Sequence, residues 1–131
     1  MTQQDIQFDR VNRMIFPPTS EADPAYWSAV FAGHAFIGVV LTAIAAVVVA
    51  RRFNGVPVII GAWVAVLGYA VLWEGLYQRL GAGLGDAAVD TLAVACGAAV
   101  AVCAERRWWR GAALAMAVAI ASLWLGIRRR L

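Results

Sequence analysis

Most of the residues in this sequence that could do chemistry inside an apolar chain fall between Trp73 and Ala104, WEGLYQRLGAGLGDAAVDTLAVACGAAVAVCA. Glu74 and Gln78 are four apart, and so are Asp86 and Asp90, so each pair shares one face of an α-helix. Tyr77 and Arg79 stand beside the first pair. Carboxylates with a nearby guanidinium can hold a cation or a phosphate-bearing headgroup, and amides and phenols can supply hydrogen bonds to either. No nucleophile stands next to a base, so no catalytic residue is assigned and an enzyme is the weaker reading. Ionisable groups within a hydrocarbon span are costly, which makes Glu74 and Asp90 functional candidates by default. Each of the others has a plainer reading. Asp86 follows a glycine and can cap a helix, Arg79 can extend to headgroups, and Gln78 can sit at the interface.

The elements that must position these groups are membrane spans. The chain has 131 residues, 63% of them hydrophobic, and a mean hydropathy of +0.73. Soluble domains are nearer about 45–50% apolar. Four apolar runs, at about 27–50, 58–78, 87–104 and 111–127, each approach the roughly 17–25 residues that cross hydrocarbon as a helix. The expected fold is all-α: a polar segment over residues 1–26, then a four-helix transmembrane bundle over 27–131. In the polar segment, Ile6, Val11, Met14 and Ile15 can line one stripe of an interfacial helix, and a solvated or docked tail explains them equally well. Pro17-Pro18 ends any such helix, and Thr19-Ser20-Glu21-Ala22-Asp23-Pro24 is a connector with turn and helix-start chemistry.

The turn Gly81-Ala82-Gly83-Leu84-Gly85 is short enough to set the second and third spans side by side and antiparallel. Gly61, Gly68 and Gly75 repeat every seven residues along the second span, with Ala65 between them. Such a row of small residues lets a neighbouring helix approach closely, so a leucine at position 68 is expected to weaken the bundle. The third span has its own row, Ala93, Gly97, Ala101 and Ala104, which can face the second span, another neighbour or a second copy of the chain.

His34, the single histidine, lies about two turns into the first span. A proton carrier is one reading, but a hydrogen bond to a neighbouring helix is the ordinary one. With no second histidine, neither haem nor zinc is expected, and no cofactor or metal is assigned. Cys96 and Cys103 are seven apart on one helix, about 10 Å along its axis, too far to bridge, and read as buried small residues. All eleven basic residues are arginine, and none forms a stripe on a soluble surface, so nucleic-acid binding has no support. The expected location is the bacterial inner membrane, with multiple passes. Loop arginines give no orientation: five lie on one side of the bundle and six on the other.

The run Asp86-Ala-Ala-Val-Asp90 followed by Gly97-Ala98 resembles the Asp-x-x-x-Asp…Gly-Ala signature of YjdF-like membrane proteins. It is also similar to the third helix of VanZ-like proteins, whose preceding helix carries Glu and Gln, here Glu74 and Gln78. Those two residues are usually three apart in that family, not four, and it usually has an Asn where this chain has Val94. The resemblance covers about thirty residues and implies a multi-helix bacterial membrane protein of unsettled biochemistry. Three functions compete on the sequence. They are binding of a lipid headgroup or other amphiphile at the acidic cluster, service as an accessory subunit of a larger membrane complex, and a phage-type holin or pore-former.

Overall fold

A computed structural model describes residues 23–52, 58–78 and 84–131. Helix α1 spans Pro24–Arg52 and α2 spans Val58–Gly68. A π-helical segment, Tyr69–Tyr77, continues α2 without a break. Helices α3 (Leu84–Glu105) and α4 (Trp109–Arg128) complete the chain. The fold is all-α, and four helices are long and apolar enough to cross a membrane. The chain is a multi-pass membrane protein. The expected interfacial helix within 1–22, the turns over 53–57 and 79–83, and Arg79 with them, lie outside the described residues.

Local chemistry sets the helix ends. Asp23 Oδ1 accepts a hydrogen bond from Ala25 N–H at 2.8 Å, and Pro24 occupies the first helical position. This cap-and-proline start places the beginning of α1 three residues before Trp27. Helix α3 begins at Leu84, so Asp86 lies inside its first turn and is not the N-cap residue. At its other end, Trp108 N–H bonds Cys103 O at 2.8 Å and Arg107 N–H bonds Ala104 O at 3.0 Å. That is a Schellman motif, and Arg107 takes the left-handed position with φ 56°.

Helices α1 and α3 form the inner pair of the bundle. Each contacts both α2 and α4, whereas α2 and α4 do not touch each other among the described residues. The α1–α3 seam is closed by two glycines. A Cβ at Gly38 would come 2.8 Å from Val94 C, and one at Gly97 would come 2.8 Å from Ala35 C and 3.1 Å from Val39 N. Backbones meet there, and Thr42, Ala93 and Val94 are fully buried along the seam. Van der Waals packing of this kind is the principal attraction between helices in lipid. Towards the other end of α3, Trp27, Phe31 and Ala93 form a core against Val89, Ala119, Leu123 and Ile127. Gly126 leaves room there for the Trp27 indole. The outward faces carry Phe36, Ile44, Trp63, Leu67, Leu72, Leu114 and Ile120, all well exposed, as lipid-facing residues are.

The small-residue rows are rearranged relative to expectation. The α3 row faces α1 through Ala93 and Gly97, and Ala104 is exposed. Of the three glycines on the second span only Gly61 packs, with Ala65 buried beyond it: a Cβ at Gly61 would lie 2.8 Å from Ala46 N of α1. Nothing lies within 4 Å of a Cβ at Gly68, and one at Gly75 would meet only Ala70 O of its own helix, at 3.6 Å. Gly68 and Gly75 are therefore not at a helix contact in this chain. Gly68 closes the α-helical half and keeps the phase of Gly61, so there it is the parting of the two helices that leaves it open; Gly75 lies inside the π segment, which shifts it off that face.

Candidate functional site

The π segment also builds the polar site. In a π-helix the backbone bonds run from N–H to the carbonyl five residues back, as Gln78 N–H to Trp73 O does at 2.8 Å. Residues five apart then stack one turn above another. Tyr69 OH donates to Glu74 Oε1 at 2.7 Å across that interval. In an α-helix at 100° per residue, position 74 would sit about 140° around the axis from position 69, toward lipid. Gly61, Ala65 and Tyr69 are buried along one face of the second span. The extra residue in the turn lets Glu74, only 4% exposed, join that face.

The partner acid comes from α3. Asp90 is six residues inside that helix, about 9 Å from its start, and is 8% exposed. Its Oδ1 lies 3.1 Å from His34 Nδ1 of α1. This is ion-pair range without hydrogen-bond alignment, since the buried Nδ1 makes no hydrogen bond of good geometry. The His34 ring meets the Tyr69 ring edge-on, with centroids 5.6 Å apart. Four side chains from three membrane spans thus run in a series: Asp90, His34, Tyr69, Glu74.

The expected site is reorganised. Glu74 and Asp90 are buried on the bundle side, and two aromatic rings stand between them. Tyr77 is not their neighbour; it is 63% exposed and stacks on Trp73 with centroids 4.7 Å apart. Tyr69 takes the place expected for it. Gln78 is half-buried beyond the end of the π segment. Asp86 lines a cavity of about 370 Å³ with Trp27, Ser122, Arg129 and Arg130. The legible clue to Tyr69 was its spacing of eight and four from Gly61 and Ala65, which puts it on the packed face.

A groove of about 1000 Å³ lies between α1 and the second span. Its walls are aliphatic along Ile37, Leu41, Ile44, Val48 and Val64, and aromatic at His34, Tyr69, Trp73 and Tyr77. Gly33 and Gly68 line it, and a Cβ on either would meet nothing within 4 Å. Glu74 and Asp90 sit behind the ring-bearing wall. No three of His, Cys, Asp and Glu converge to hold a metal ion among the described residues. Cys96 and Cys103 are both buried free thiols.

Compared with known family models, characterised proteins and solved structures, the chain matches none. Function therefore rests on the site itself.

Proposed function

We propose that this chain is an amphiphile-binding protein of the bacterial inner membrane, holding the apolar part of its ligand in the α1–α2 groove and the polar end at His34 and Tyr69. The groove is the observation that carries this reading. It has the volume of a ligand pocket, it is lined almost wholly by apolar side chains, and a few convergent polar groups lie at one end. From His34 to Val48 the α1 wall runs fourteen residues, about 21 Å, enough to lay an acyl chain along it. His34 lies ten residues past Pro24, about 15 Å along the helix, so the polar end is below the headgroup level and within the hydrocarbon. A buried polar cluster at that depth recognises a ligand group more cheaply than it tolerates bare lipid tails.

Hydrolytic chemistry has less support: His34 has an acid partner, but among the described residues no hydroxyl or thiol nucleophile is held against it. The test is native mass spectrometry of the full chain purified in a mild detergent. Wild type is expected to retain a lipid-sized adduct, and the double variant Gly33→Leu with Gly68→Leu, which fills the groove without a clash, is expected to lose it. An adduct held equally by both overturns the groove assignment. A stoichiometric second protein in place of the adduct supports the accessory-subunit function.

A further inference from the structure

We infer that the amphiphile held in the groove carries a cationic, alkylated ammonium headgroup. This rests on the groove reading above and specifies its ligand. Two observations on opposite sides of the groove wall lead to it.

The first is the aromatic end. His34, Tyr69, Trp73 and Tyr77 all line the groove, and they form two ring pairs, His34 with Tyr69 and Trp73 with Tyr77. Faces of tyrosine and tryptophan rings carry negative quadrupolar potential and attract organic cations, most strongly where water is excluded. An alkylated ammonium is held this way because it has few or no N–H groups that demand hydrogen-bond acceptors.

The second observation is charge. Glu74 and Asp90 lie behind those rings, 4% and 8% exposed. Among the described residues the cluster sets two carboxyl groups against one imidazole, an excess of acid over base. Among the described residues no arginine lines the groove. Through a low-dielectric wall the field of that excess reaches the groove with little screening, favouring a cation and opposing a carboxylate or phosphate. The carboxylates do not open onto the groove, so the ligand has no direct salt bridge to make and meets ring faces instead.

The test uses the full chain in uncharged maltoside micelles and three chain-brominated dodecyl probes, headed by trimethylammonium, carboxylate or hydroxyl. Quenching of tryptophan fluorescence reads binding, and Trp73→Phe identifies the component that arises in the groove. Saturable quenching by the trimethylammonium probe is expected at a concentration about tenfold or more below that of the carboxylate probe. Glu74→Gln with Asp90→Asn should bring the two within about threefold. Glu74→Gln alone, which keeps an acceptor for Tyr69, should move them part of the way and guards against failure of the double variant to fold. Three saturable probes of equal affinity, all lost in Gly33→Leu with Gly68→Leu, would leave the groove standing and overturn the cation. A cation preference unchanged by neutralising the acids also overturns it. Absence of saturable binding by any probe overturns both readings.

Discussion

Helix α1 has two long sides, and they use the same small residues to opposite ends. Toward α3, Gly38 and Gly97 bring backbone against backbone, and everything between is dry. Toward the second span, Gly61 makes one comparable contact with Ala46, and then the helices part so that Gly33 and Gly68 face open space. One side is a seam and the other a groove. Glycine in a membrane helix is thus no guide to packing by itself. What decides is how closely the facing helix approaches at each level, since Gly61 and Gly68 share one α-helical phase and only the first meets α1.

The largest effect should come from closing the seam further. In Gly97→Ala the new methyl would collide with backbone atoms of Ala35 and Val39, which no rotamer change can move. Inserting atoms into a packed core costs about 1–3 kcal/mol, and here the upper end or more is expected because the obstacle is main chain. The unfolding midpoint in mild detergent reads it. A loss below about 1 kcal/mol would mean the two helices separate easily, and the contrast with the groove would vanish.

Next in size is the link between the groove wall and Glu74. Tyr69→Phe removes the hydroxyl that donates to Glu74 Oε1 and leaves a carboxyl buried without that partner. A typical intramolecular hydrogen bond contributes about 0.5–1.5 kcal/mol net, so a loss of about 1 kcal/mol is expected. Glu74→Gln retains an acceptor and should lose less. Equal losses in the two variants would show that the hydrogen bond is not what fixes this end of the second span.

How much of this was legible depends on the scale. Span positions were, because length and hydropathy are additive along the chain: the expected runs and the observed helices differ by no more than three residues at any described end. Caps moved the starts, as Asp23-Pro24 shows. The depth of Glu74 and Asp90 was legible too, since a charge inside an apolar run must turn inward. Their partners were not. Gln78 and Tyr77 were assigned to Glu74 by α-helical spacing, and a π turn changes the residue that stacks on position 74 from one four away to Tyr69, five away. His34 was read as bonding a neighbouring helix, but no local pattern names which helix, and Asp90 lies 56 residues along. Contacts across the chain depend on packing, and periodicity carries no record of them.

The phase argument has its own test, of smaller expected effect. Val71 is 57% exposed to lipid and lies inside the π segment. Deleting it places Tyr69 and Glu74 four apart, so an ordinary α-helix now aligns them. Little packing is lost, and a change within about 1 kcal/mol of wild type is expected. Deleting Val64 instead, in the α-helical half, rotates the preceding face, with Gly61 on it, by about 100° against the polar residues and should cost clearly more. If the two deletions are equally harmful, the π segment is not a phase correction for Glu74.

The smallest effect belongs to Gly68→Leu, and its smallness is the point. The seven-residue repeat predicts that this change overpacks a helix contact. The geometry puts no atom within 4 Å of the added Cβ, with the groove beyond it. Leucine also favours helix over glycine by roughly 0.8–1 kcal/mol in a helix interior. Against that stands loss of whatever ligand the groove stabilises, which in ligand-free detergent is nil. The expected result is therefore a stability equal to wild type or greater by up to about 1 kcal/mol, measured in the same unfolding assay as Gly97→Ala. The comparison between the two glycines is sharper than either alone, because both are half-way along a span and both gain side-chain atoms. If Gly68→Leu destabilises as much as Gly97→Ala, then α1 and the second span meet at this level, the groove closes, and a ligand site between them has no room to exist.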